Sequence, residues 1–594
     1  MLNYEKRKNN KLFESMHANK KLQILRVQNF IPIYSNFFSL TSNNYNNINL
    51  NHEWYVTKIL NKNHLNDNTF SCEIVNRTDK EFKIEKKSYI KMAPLLEPYK
   101  YLFGKYSNND SSNLFNLPSF DNTNVHEKIA DRNNSSYVDS FFCYLSSQLL
   151  NKHKIINCLD FYGSFLAVKK KYKIDIIDDI DYLAESDYFV KNQNNLFHVE
   201  DYSHLIYKPK LKPIVIVDNS NVDLNINLED INIATVNNDN EINLEKHNSN
   251  LLSENVDINI SELTVSNIHL NNKNDGIDSL CSSISSSSSF SSRTSHSKLG
   301  DDSCEENNSD SDSDINSDCD TELEESEGSD LEEETLFVTF EEFPIQMIFL
   351  ECCDGTLDSL IMNYENLSHD EIFSALMQII MTLLVYQKVF SLTHNDLHTN
   401  NVMYVNTKLK YLYYKYENKI YKVPTFGKIY KIIDFGRAIY KINGLLICSD
   451  SFKNGNDAAT QYNIEPYFNE SKPRLEPNFS FDLCRLACSM FDYFIDDMSD
   501  IENLDECDPL VRLIVEWCLD DSGINILYKH SGVERYANFK LYKMISRLVH
   551  NHTPEMQLNR DVFKKYLIPN KSLKKQENVL VIDLDNLPLY SESI

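Results

Sequence analysis

The chain of 594 residues is 42% apolar and contains 34 Tyr and 32 Phe, which excludes a wholly disordered protein. Its formal net charge is −28, but the segment 216–335 alone carries 29 acidic and 4 basic residues. Because the rest of the chain is close to neutral, the charge balance argues against nucleic acid as the main partner.

Residues 1–50 show no sustained hydrophobic period, and we interpret them as a poorly defined N-terminal extension. The next segment, 51–215, begins with short runs of β-forming residues separated by polar clusters, which predicts an antiparallel sheet. These runs are His52–Leu60, Phe70–Val75, Phe82–Ile84 and Ser88–Met92.

A helix is predicted over Tyr137–Leu150, because apolar residues recur there at spacings of three and four. Ser135 or Ser136 is the expected N-cap of this helix. A strand is predicted to follow over Ile155–Val168.

The segment 216–335 is rich in Asn, Asp and Ser, and it cannot bury enough apolar area to offset its ordering entropy. We therefore expect a long disordered acidic insertion. Order should resume in 336–355 with the strand Ile345–Glu351 and continue through the helical segment 356–565, before a C-terminal tail over 566–594. Helices are predicted at Leu357–Met362, His369–Phe390, Phe481–Asp496, Pro509–Leu519 and Leu541–His550.

The 13 cysteines form no CxxC pair, and residues 1–8 lack the apolar stretch of a signal peptide. Both features favour a reducing, cytosolic compartment. The most apolar stretch, Phe373–Leu392, has the length of a membrane span but carries Gln378, Gln387 and Lys388. These polar side chains favour a buried helix, so we expect no membrane association.

Two short motifs carry the chemistry: HNDLHTNN at 394–401 and, about thirty residues later, an Asp-Phe-Gly triplet that begins at Asp434. Phosphoryl transfer needs a side chain that orients the acceptor hydroxyl and takes its proton, together with oxygen ligands for Mg²⁺. Asp396 suits the first task, and Asn401 and Asp434 offer hard oxygen ligands for the second. Each motif alone is weak evidence, because such short strings recur in strand ends and turns. Their order and spacing together are those of the catalytic loop and the metal-binding element of kinases.

The resemblance to kinases extends upstream of these motifs. Residues 349–357 look like the strand and hinge of a kinase, where backbone groups from Glu351 to Cys353 would bind the adenine edge of ATP. Lys91 resembles the strand lysine that contacts the α- and β-phosphates. Its acidic partner is expected to be Asp139, although most kinases use Glu at this position and Glu127 competes with it.

Residues 481–486, which include Asp482, resemble a further kinase element. In kinases the corresponding buried helix carries an Asp that holds the catalytic loop. The alternative is an ordinary acidic residue at a helix N-terminus, which the helix dipole favours in any protein.

The chain also resembles the serine/threonine protein kinases of giant and other large cytoplasmic DNA viruses, over residues 80–215 and 336–500. This resemblance rests on Ile90–Pro98, Asn133–Asp139 and His394–His398. It implies an α+β, two-lobed protein-kinase-like fold with a β-rich N-lobe that carries the insertion, a helical C-lobe, and ATP with Mg²⁺ between the lobes. It also implies a host cytoplasm as the location, with packaging in the virion as a further option.

Three departures from the kinase pattern stand out. No Gly precedes Lys91, so the phosphates would be covered by a Gly-free turn, for which Asn61–Asn68 is the candidate. Asn395 replaces the usual Arg, which removes the cation that reads a phosphorylated activation loop. His398 stands where Ser/Thr kinases generally have Lys.

We expect a protein serine/threonine kinase that transfers the γ-phosphate of ATP to a protein substrate. The pattern HxDLHxxN also occurs in small-molecule phosphotransferases, so an aminoglycoside- or choline-type kinase is one alternative. A catalytically inactive pseudokinase scaffold is another, because the N-terminal glycines are missing. The intact Asp-Phe-Gly triplet and the long segment 437–477 favour the protein kinase. The oligomeric state and the physiological substrate leave no signal in the sequence.

Overall fold

The structure is a computed structural model in which the described residues are 2–60, 68–106, 113–121, 124–203, 205, 335–362, 367–570 and 580–592. The fold is mixed α+β, with a large sheet in the N-terminal part of the chain and a helical region in the C-terminal part. The chain divides into one compact unit of Met1–Glu200 and Ile277–Ile594 and a second unit of Asp201–Gly276. Every element described below lies in the first unit, and the second unit falls almost entirely outside the described residues.

The first nine strands along the described chain are β1 (Tyr4–Lys6), β2 (Ile24–Gln28), β3 (Ile48–Leu50), β4 (Trp54–Ile59), β5 (Thr69–Asn76), β6 (Lys83–Pro94), β7 (Phe161–Asp175), β8 (His198–Val199) and β9 (Phe337–Glu351). The main sheet has seven strands in the order β2-β7-β9-β6-β5-β4, with β8 paired to β9. The predicted antiparallel pairing is confirmed. The runs predicted at 82–84 and 88–92 belong, except for Phe82, to one strand, β6, because the charged residues between them alternate towards solvent instead of ending the strand.

The helices of the described chain are α1 (Asn10–Ala18), α2 (Pro98–Leu102), α3 (Glu127–Ala130), α4 (Ser135–His153), α5 (Ile180–Glu185), α6 (Asp187–Asn192), α7 (Leu357–Ile361), α8 (His369–Phe390), α9 (Phe481–Phe494), α10 (Pro509–Trp517), α11 (Phe539–Leu548), α12 (Pro554–Gln557) and α13 (Asp561–Lys564). The predicted C-terminal helices are confirmed, and α8 has the predicted bounds. Helix α8 is long and apolar enough to span a membrane, but 94% of its most apolar window is buried inside the protein. Its apolar composition is therefore explained by its position in the core.

The interpretation of residues 1–50 as a poorly defined extension is corrected by the structure. Leu12 and Met16 of α1 and Ile24 of β2 are buried in the same core as the main sheet, and β2 pairs with β7. Each of these elements is short and presents only two or three apolar residues to the core. The pattern is therefore too brief to register as a sustained period.

Two predicted boundaries near α4 also differ from the structure. The N-cap is Asn134, whose side chain accepts a hydrogen bond from the Ser136 N–H, and not Ser135 or Ser136. The strand predicted from Ile155 begins only at Phe161, because the chain first turns after α4. Ile155, Cys158 and Leu159 of this turn are buried, so the composition of the turn resembles that of a strand.

Strands β7 and β9 are antiparallel neighbours over most of their length, from Phe161 opposite Leu350 to Asp175 opposite Phe337. The expectation that the strands before and after the acidic insertion are neighbours is therefore confirmed. The Glu200 N–H donates to the Phe337 carbonyl oxygen at 3.2 Å, so the two flanks of the insertion meet. The insertion itself, predicted over 216–335, lies outside the described residues except at its last position.

The remaining strands are β10 (Gly355–Thr356), β11 (Val402–Asn406), β12 (Tyr411–Tyr416), β13 (Lys419–Pro424), β14 (Lys428–Ile432), β15 (Ile439–Ile442), β16 (Leu445–Cys448), β17 (Leu567–Ile568) and β18 (Val581–Asp583). Strand β11 pairs with β10 and β14, which places the two motifs at neighbouring strand ends. Strands β12 and β13 form a hairpin between the motifs, extended by β17 and β18 into a four-stranded sheet. The segment 566–594, expected to be a tail, therefore contributes two strands to the fold.

Candidate active site

Lys91 on β6 lies between two carboxylates. Its Nζ atom is 2.8 Å from Asp139 Oδ2 and 2.9 Å from Asp434 Oδ1. Asp139 comes from α4 and is 1% exposed, whereas Asp434 follows β14. Glu127, the competing candidate, lies on α3, and no ion pair joins it to Lys91 within the described chain. The main sheet, α4 and the second motif thus converge on one ammonium group.

The pKa values of Lys91 and Asp434 move in the directions that favour ion pairing. Burial acts to lower the pKa of Lys91, but Asp139 and Asp434 outweigh burial and raise it above its ordinary value. Burial acts to raise the pKa of Asp434, but Lys91 outweighs burial and lowers it. The cluster therefore contains one cation and two carboxylates, and its excess of negative charge suits a further cation.

Helix α4 also fixes the residue that follows Asp434. The Phe435 N–H donates to Asp139 Oδ1 at 2.8 Å. The buried Phe435 ring lies 4.4 Å from the Phe142 ring of α4, measured between centroids. Asp434 itself has φ +63°, a left-handed conformation that is uncommon for a residue other than Gly. Such a backbone persists because Lys91 and α4 hold both sides of the turn.

Asp482, near the start of α9, holds the loop that precedes Asp396. Its two carboxylate oxygens accept the backbone N–H groups of His394 and Asn395, each at 2.9 Å. The prediction that Asp482 fixes this loop is confirmed. The His394 Nε2 atom lies 2.9 Å from the Ile433 carbonyl oxygen, immediately before the second motif. One buried imidazole thus joins the two motifs.

Asn401 is oriented by hydrogen bonds from its amide nitrogen. Nδ2 donates to the Asp396 carbonyl oxygen at 2.9 Å and to His398 Nε2 at 3.0 Å. This orientation leaves Oδ1 as the side-chain atom that suits a cation. The Asn401 carbonyl oxygen accepts the Ile433 N–H at 3.0 Å, so Asn401 and Asp434 belong to adjacent strand ends.

Asp396 lies among groups from three distant parts of the chain. Its Oδ1 atom accepts a hydrogen bond from the Tyr542 hydroxyl at 2.8 Å and is 3.5 Å from a guanidinium nitrogen of Arg437. Burial acts to raise the pKa of Asp396, but Arg437, His398 and Arg485 outweigh burial and lower it. An ionised carboxylate of low pKa is a weak base, so Asp396 suits orientation of a hydroxyl better than early removal of its proton.

The two unusual residues of the first motif have distinct surroundings. Burial lowers the pKa of His398 to about 4, so this side chain is neutral at pH 7 and differs in charge from a Lys. Asn395 donates from Nδ2 to the Arg437 carbonyl oxygen at 3.0 Å and accepts the Tyr462 hydroxyl at 2.7 Å. Asn395 therefore fastens the segment after the Asp-Phe-Gly triplet through neutral hydrogen bonds.

Two carboxylates from the segment 437–477 act on the site. Asp457 forms an ion pair with Arg437, and its Oδ2 atom lies 2.7 Å from Arg437 Nη2. Asp450 pairs with Lys128 at 2.6 Å and accepts the Ser135 N–H at 2.9 Å, at the N-terminus of α4. A carboxylate at that position satisfies a free N–H group and the helix dipole together. The segment therefore helps to hold α4 and, through α4, Asp139.

Glu351, the first residue of the predicted hinge, makes its side-chain contacts within the protein. Its side chain pairs with Lys431 at 2.6 Å and accepts the Asp160 N–H at 2.9 Å. Its own N–H already donates to the Asp160 carbonyl oxygen, so that N–H is engaged within the protein. Cys353, two residues on, is half-buried, and burial raises the pKa of its thiol to about 12. Contact between the backbone of residues 351–353 and the adenine edge stays a prediction.

Asp434 and Asn401 fit a magnesium ion that arrives with a nucleotide. Both supply hard oxygen ligands, and Mg²⁺ is commonly held by one or two protein oxygens together with phosphates and water. Within the described ranges no group of three or more His, Cys, Asp or Glu side chains could hold a metal ion. The described residues therefore show no metal centre made by protein side chains alone. The turn predicted to cover the phosphates, 61–68, lies outside the described residues except at its last position.

Sequence reasoning missed the partners of Asp396. Arg437 directly follows the Asp-Phe-Gly triplet, and Arg485 is three residues after Asp482 on the same helix face, so both had a local signal. Tyr542 is 146 residues from Asp396, and no spacing rule connects them. Its position depends on how α11 packs against the core.

Comparison with known proteins found no relative of the chain. No protein-family model matches the chain, and no curated protein matches it. The functional assignment therefore rests on the geometry of the candidate active site.

Proposed function

We propose that the chain is an ATP-dependent protein serine/threonine kinase with a two-lobed kinase-like fold. The main sheet and α4 would form the N-lobe, and the helical region would form the C-lobe. The observation that carries this proposal is the double ion pair of Lys91 with Asp139 and Asp434. Burial of two carboxylates against one ammonium is poorly compensated as a purely structural device, because desolvation of the second charge is costly. A triphosphate bound with Mg²⁺ would use both.

Each group of the site has a role in this reaction. Lys91 would contact the α- and β-phosphates of ATP, while Asp139 holds the lysine in place. Asn401 and Asp434 would bind Mg²⁺, which when bound neutralises charge on the phosphates. Asp396 would orient the acceptor hydroxyl and take its proton, and the backbone near Cys353 would meet the adenine edge. Catalysis would thus come from positioning and electrostatics more than from covalent chemistry.

The environment of the motifs favours an active enzyme over a pseudokinase scaffold. Asp396, Asn401 and Asp434 are linked through Ile433 and His394 by backbone and imidazole hydrogen bonds. A scaffold has no need to keep all three polar groups in one connected network.

The segment 437–477 favours a protein acceptor over a small molecule. It packs as an ordered cluster around Ile439, Phe452 and Tyr462, beside the Asp396 side of the site. Asp450 and Asp457 supply carboxylates where they brace α4 and Arg437. We infer that this segment docks the substrate. We also infer that Asp450 and Asp457 replace the charge of a phosphorylated activation loop.

The proposal is tested with labelled ATP, Mg²⁺, a set of generic proteins and a panel of aminoglycosides and choline. We expect label on Ser or Thr residues of proteins, and its loss in Asp396→Asn. Asp561→Asn is the matched control, because that carboxylate is 96% exposed. Transfer to small molecules alone, no transfer to any acceptor, or full activity in Asp396→Asn would each contradict the proposal.

A further inference from the structure

The hydroxyl of Tyr542 lies at the point where an acceptor hydroxyl would meet Asp396. Its oxygen is 2.8 Å from Asp396 Oδ1 and donates to it. This is the contact that Asp396 would make with the hydroxyl of a substrate during phosphoryl transfer. Burial and the nearby Asp396 raise the pKa of Tyr542, so its hydroxyl retains the proton that it donates.

Two arginines flank the Tyr542 ring. The guanidinium carbon of Arg485 is 5.0 Å from the ring centroid, and that of Arg437 is 5.6 Å away. Arg485 is only 5% exposed, and its Nε atom has no hydrogen-bond partner in the described structure. A buried guanidinium with an unused donor is costly unless an anion completes it. Arg485 is therefore a group suited to bind a phosphate formed at this position.

Helix α11, which carries Tyr542, is anchored at its first residue by the buried Phe539 and also at its C-terminal end. There Ile545 is fully buried, and the Ser546 hydroxyl donates to the Gln461 carbonyl oxygen at 3.1 Å. At the other end, α11 follows an exposed connection and begins after Asn538, which has φ +53° and ψ −137°. Positive φ with this ψ is strained for a residue with a side chain. The buried Phe539 stacks on the Tyr542 ring at 4.7 Å between centroids, so this strained start of α11 is held in place beside Asp396.

We propose that Tyr542 is an internal phosphate acceptor, modified by the active site of its own chain. In this step the bond between the γ-phosphorus and the β–γ bridging oxygen of ATP breaks, and a bond forms between that phosphorus and Tyr542 Oη. The phenolic proton passes to Asp396, and ADP leaves. The step rests on the proposed kinase function, which supplies ATP, and extends it to a tyrosine hydroxyl within the chain. The product phosphate would lie beside Arg485 and Arg437, while its charge would repel Asp396.

The test uses the full chain, first treated with a phosphatase and then incubated with labelled ATP and Mg²⁺. Mass spectrometry locates the phosphate, and a generic protein substrate is assayed in parallel. We expect phosphate on Tyr542, at a rate per chain that does not change over a tenfold dilution. Tyr542→Phe should lose this phosphate, Tyr536→Phe should keep it, and Asp396→Asn should abolish it.

Two results would overturn the inference while leaving the proposed function intact. One is phosphorylation of the generic protein with no phosphate on Tyr542. The other is modification of Tyr542 at a rate that falls tenfold with dilution, which would mean that a second copy acts on it. Absence of transfer to every acceptor would overturn the proposed function and this inference together.

Discussion

The two sides of the candidate site balance their charges in different ways. On the Lys91 side, one ammonium faces the carboxylates of Asp139 and Asp434, so negative charge is in excess. This side is incomplete as it stands. A divalent cation that arrives with a triphosphate would compensate the excess negative charge, because it would bind a carboxylate whose charge Lys91 only partly neutralises.

On the Asp396 side the charges are already balanced. Arg437 and Arg485 face Asp396 and Asp457, and Tyr542 adds a neutral hydroxyl. The charges on this side are thus matched without a ligand, although the Nε atom of Arg485 has no hydrogen-bond partner in the described structure. Under the proposed function, nucleotide binding would complete the Lys91 side, whereas a separate protein acceptor would have to displace the Tyr542 hydroxyl from Asp396.

The largest expected effect separates the two sides directly. Asp434→Asn and Asp396→Asn should each lower phosphoryl transfer by about 10² to 10⁴-fold, because each removes charge from the reacting centre. Asp434→Asn should also weaken Mg²⁺-dependent ATP binding, whereas Asp396→Asn should leave ATP binding unchanged. Calorimetric titration with ATP and Mg²⁺, combined with steady-state rates, measures both quantities. Equal losses of ATP affinity in the two variants would break the comparison.

The second effect concerns His398, which links the two sides through its hydrogen bond to Asn401. Its pKa is about 4 in the folded protein against 6.5 for an ordinary His, so the unfolded chain binds more protons between these values. Stability should therefore fall as the pH drops from about 6.5 to 4, by roughly 3 kcal/mol from this group. Urea unfolding should show a loss that is larger in the wild type than in His398→Gln by this amount, because other buried imidazoles such as His52 contribute equally to both proteins.

The matched control for that experiment is His530→Gln, because His530 is exposed. This control should keep the acidic loss of stability seen in the wild type. The same slope in His398→Gln and in the wild type would show that the buried imidazole is not its source.

A smaller effect is expected from Asp457, which neutralises Arg437 on the balanced side. Asp457→Asn should lower the transfer rate by about tenfold, roughly 1.4 kcal/mol, because Arg437 would then draw Asp396 away from an acceptor.

Phosphatase treatment of the protein should have little effect on the transfer rate, since carboxylates already hold the segment 437–477. A large loss of activity traced to phosphate in this segment would contradict this expectation.

The smallest effect should follow replacement of residues 222–334 by a short Gly/Ser linker. The flanks of the insertion already meet at Glu200 and Phe337, and loop closure costs only about 0.6 kcal/mol per doubling of length. ATP binding and basal transfer should persist, and the unfolding free energy should rise by only about 1 kcal/mol. Unfolding or loss of ATP binding in this variant would show that the insertion belongs to the folded part that carries Lys91.

The site residues that were predictable from sequence are those that lie in short, contiguous motifs or elements. Asp396, Asn401 and Asp434 follow from motif spacing, and Asp139 follows as an acid on an amphipathic helix. Asp482 was predictable from its position at the start of a helix. In each case the local pattern that forms the element also places the side chain.

The parts that were not predictable depend on contacts between distant segments. Tyr542 reaches Asp396 only because α11 packs against the segment after the second motif. The β12–β13 hairpin received no prediction, although it separates the motifs. The N-terminal 50 residues also pack in the core through elements too short to show a period. Such contacts are decided by tertiary packing, which a single sequence does not display.

Strands β17 and β18 are synthesised after the β12–β13 hairpin with which they pair, so the four-stranded sheet cannot form when the hairpin is made. At ~5–20 residues per second, the hairpin leaves the ribosome about 8 to 30 seconds before β18 does. During this interval both outer edges of the hairpin lack their final partners, and unpaired edges are templates for association with other chains. The nascent chain is therefore exposed to association with other chains from the release of the hairpin until β17 and β18 bind beside the segment that joins Asn401 to Asp434.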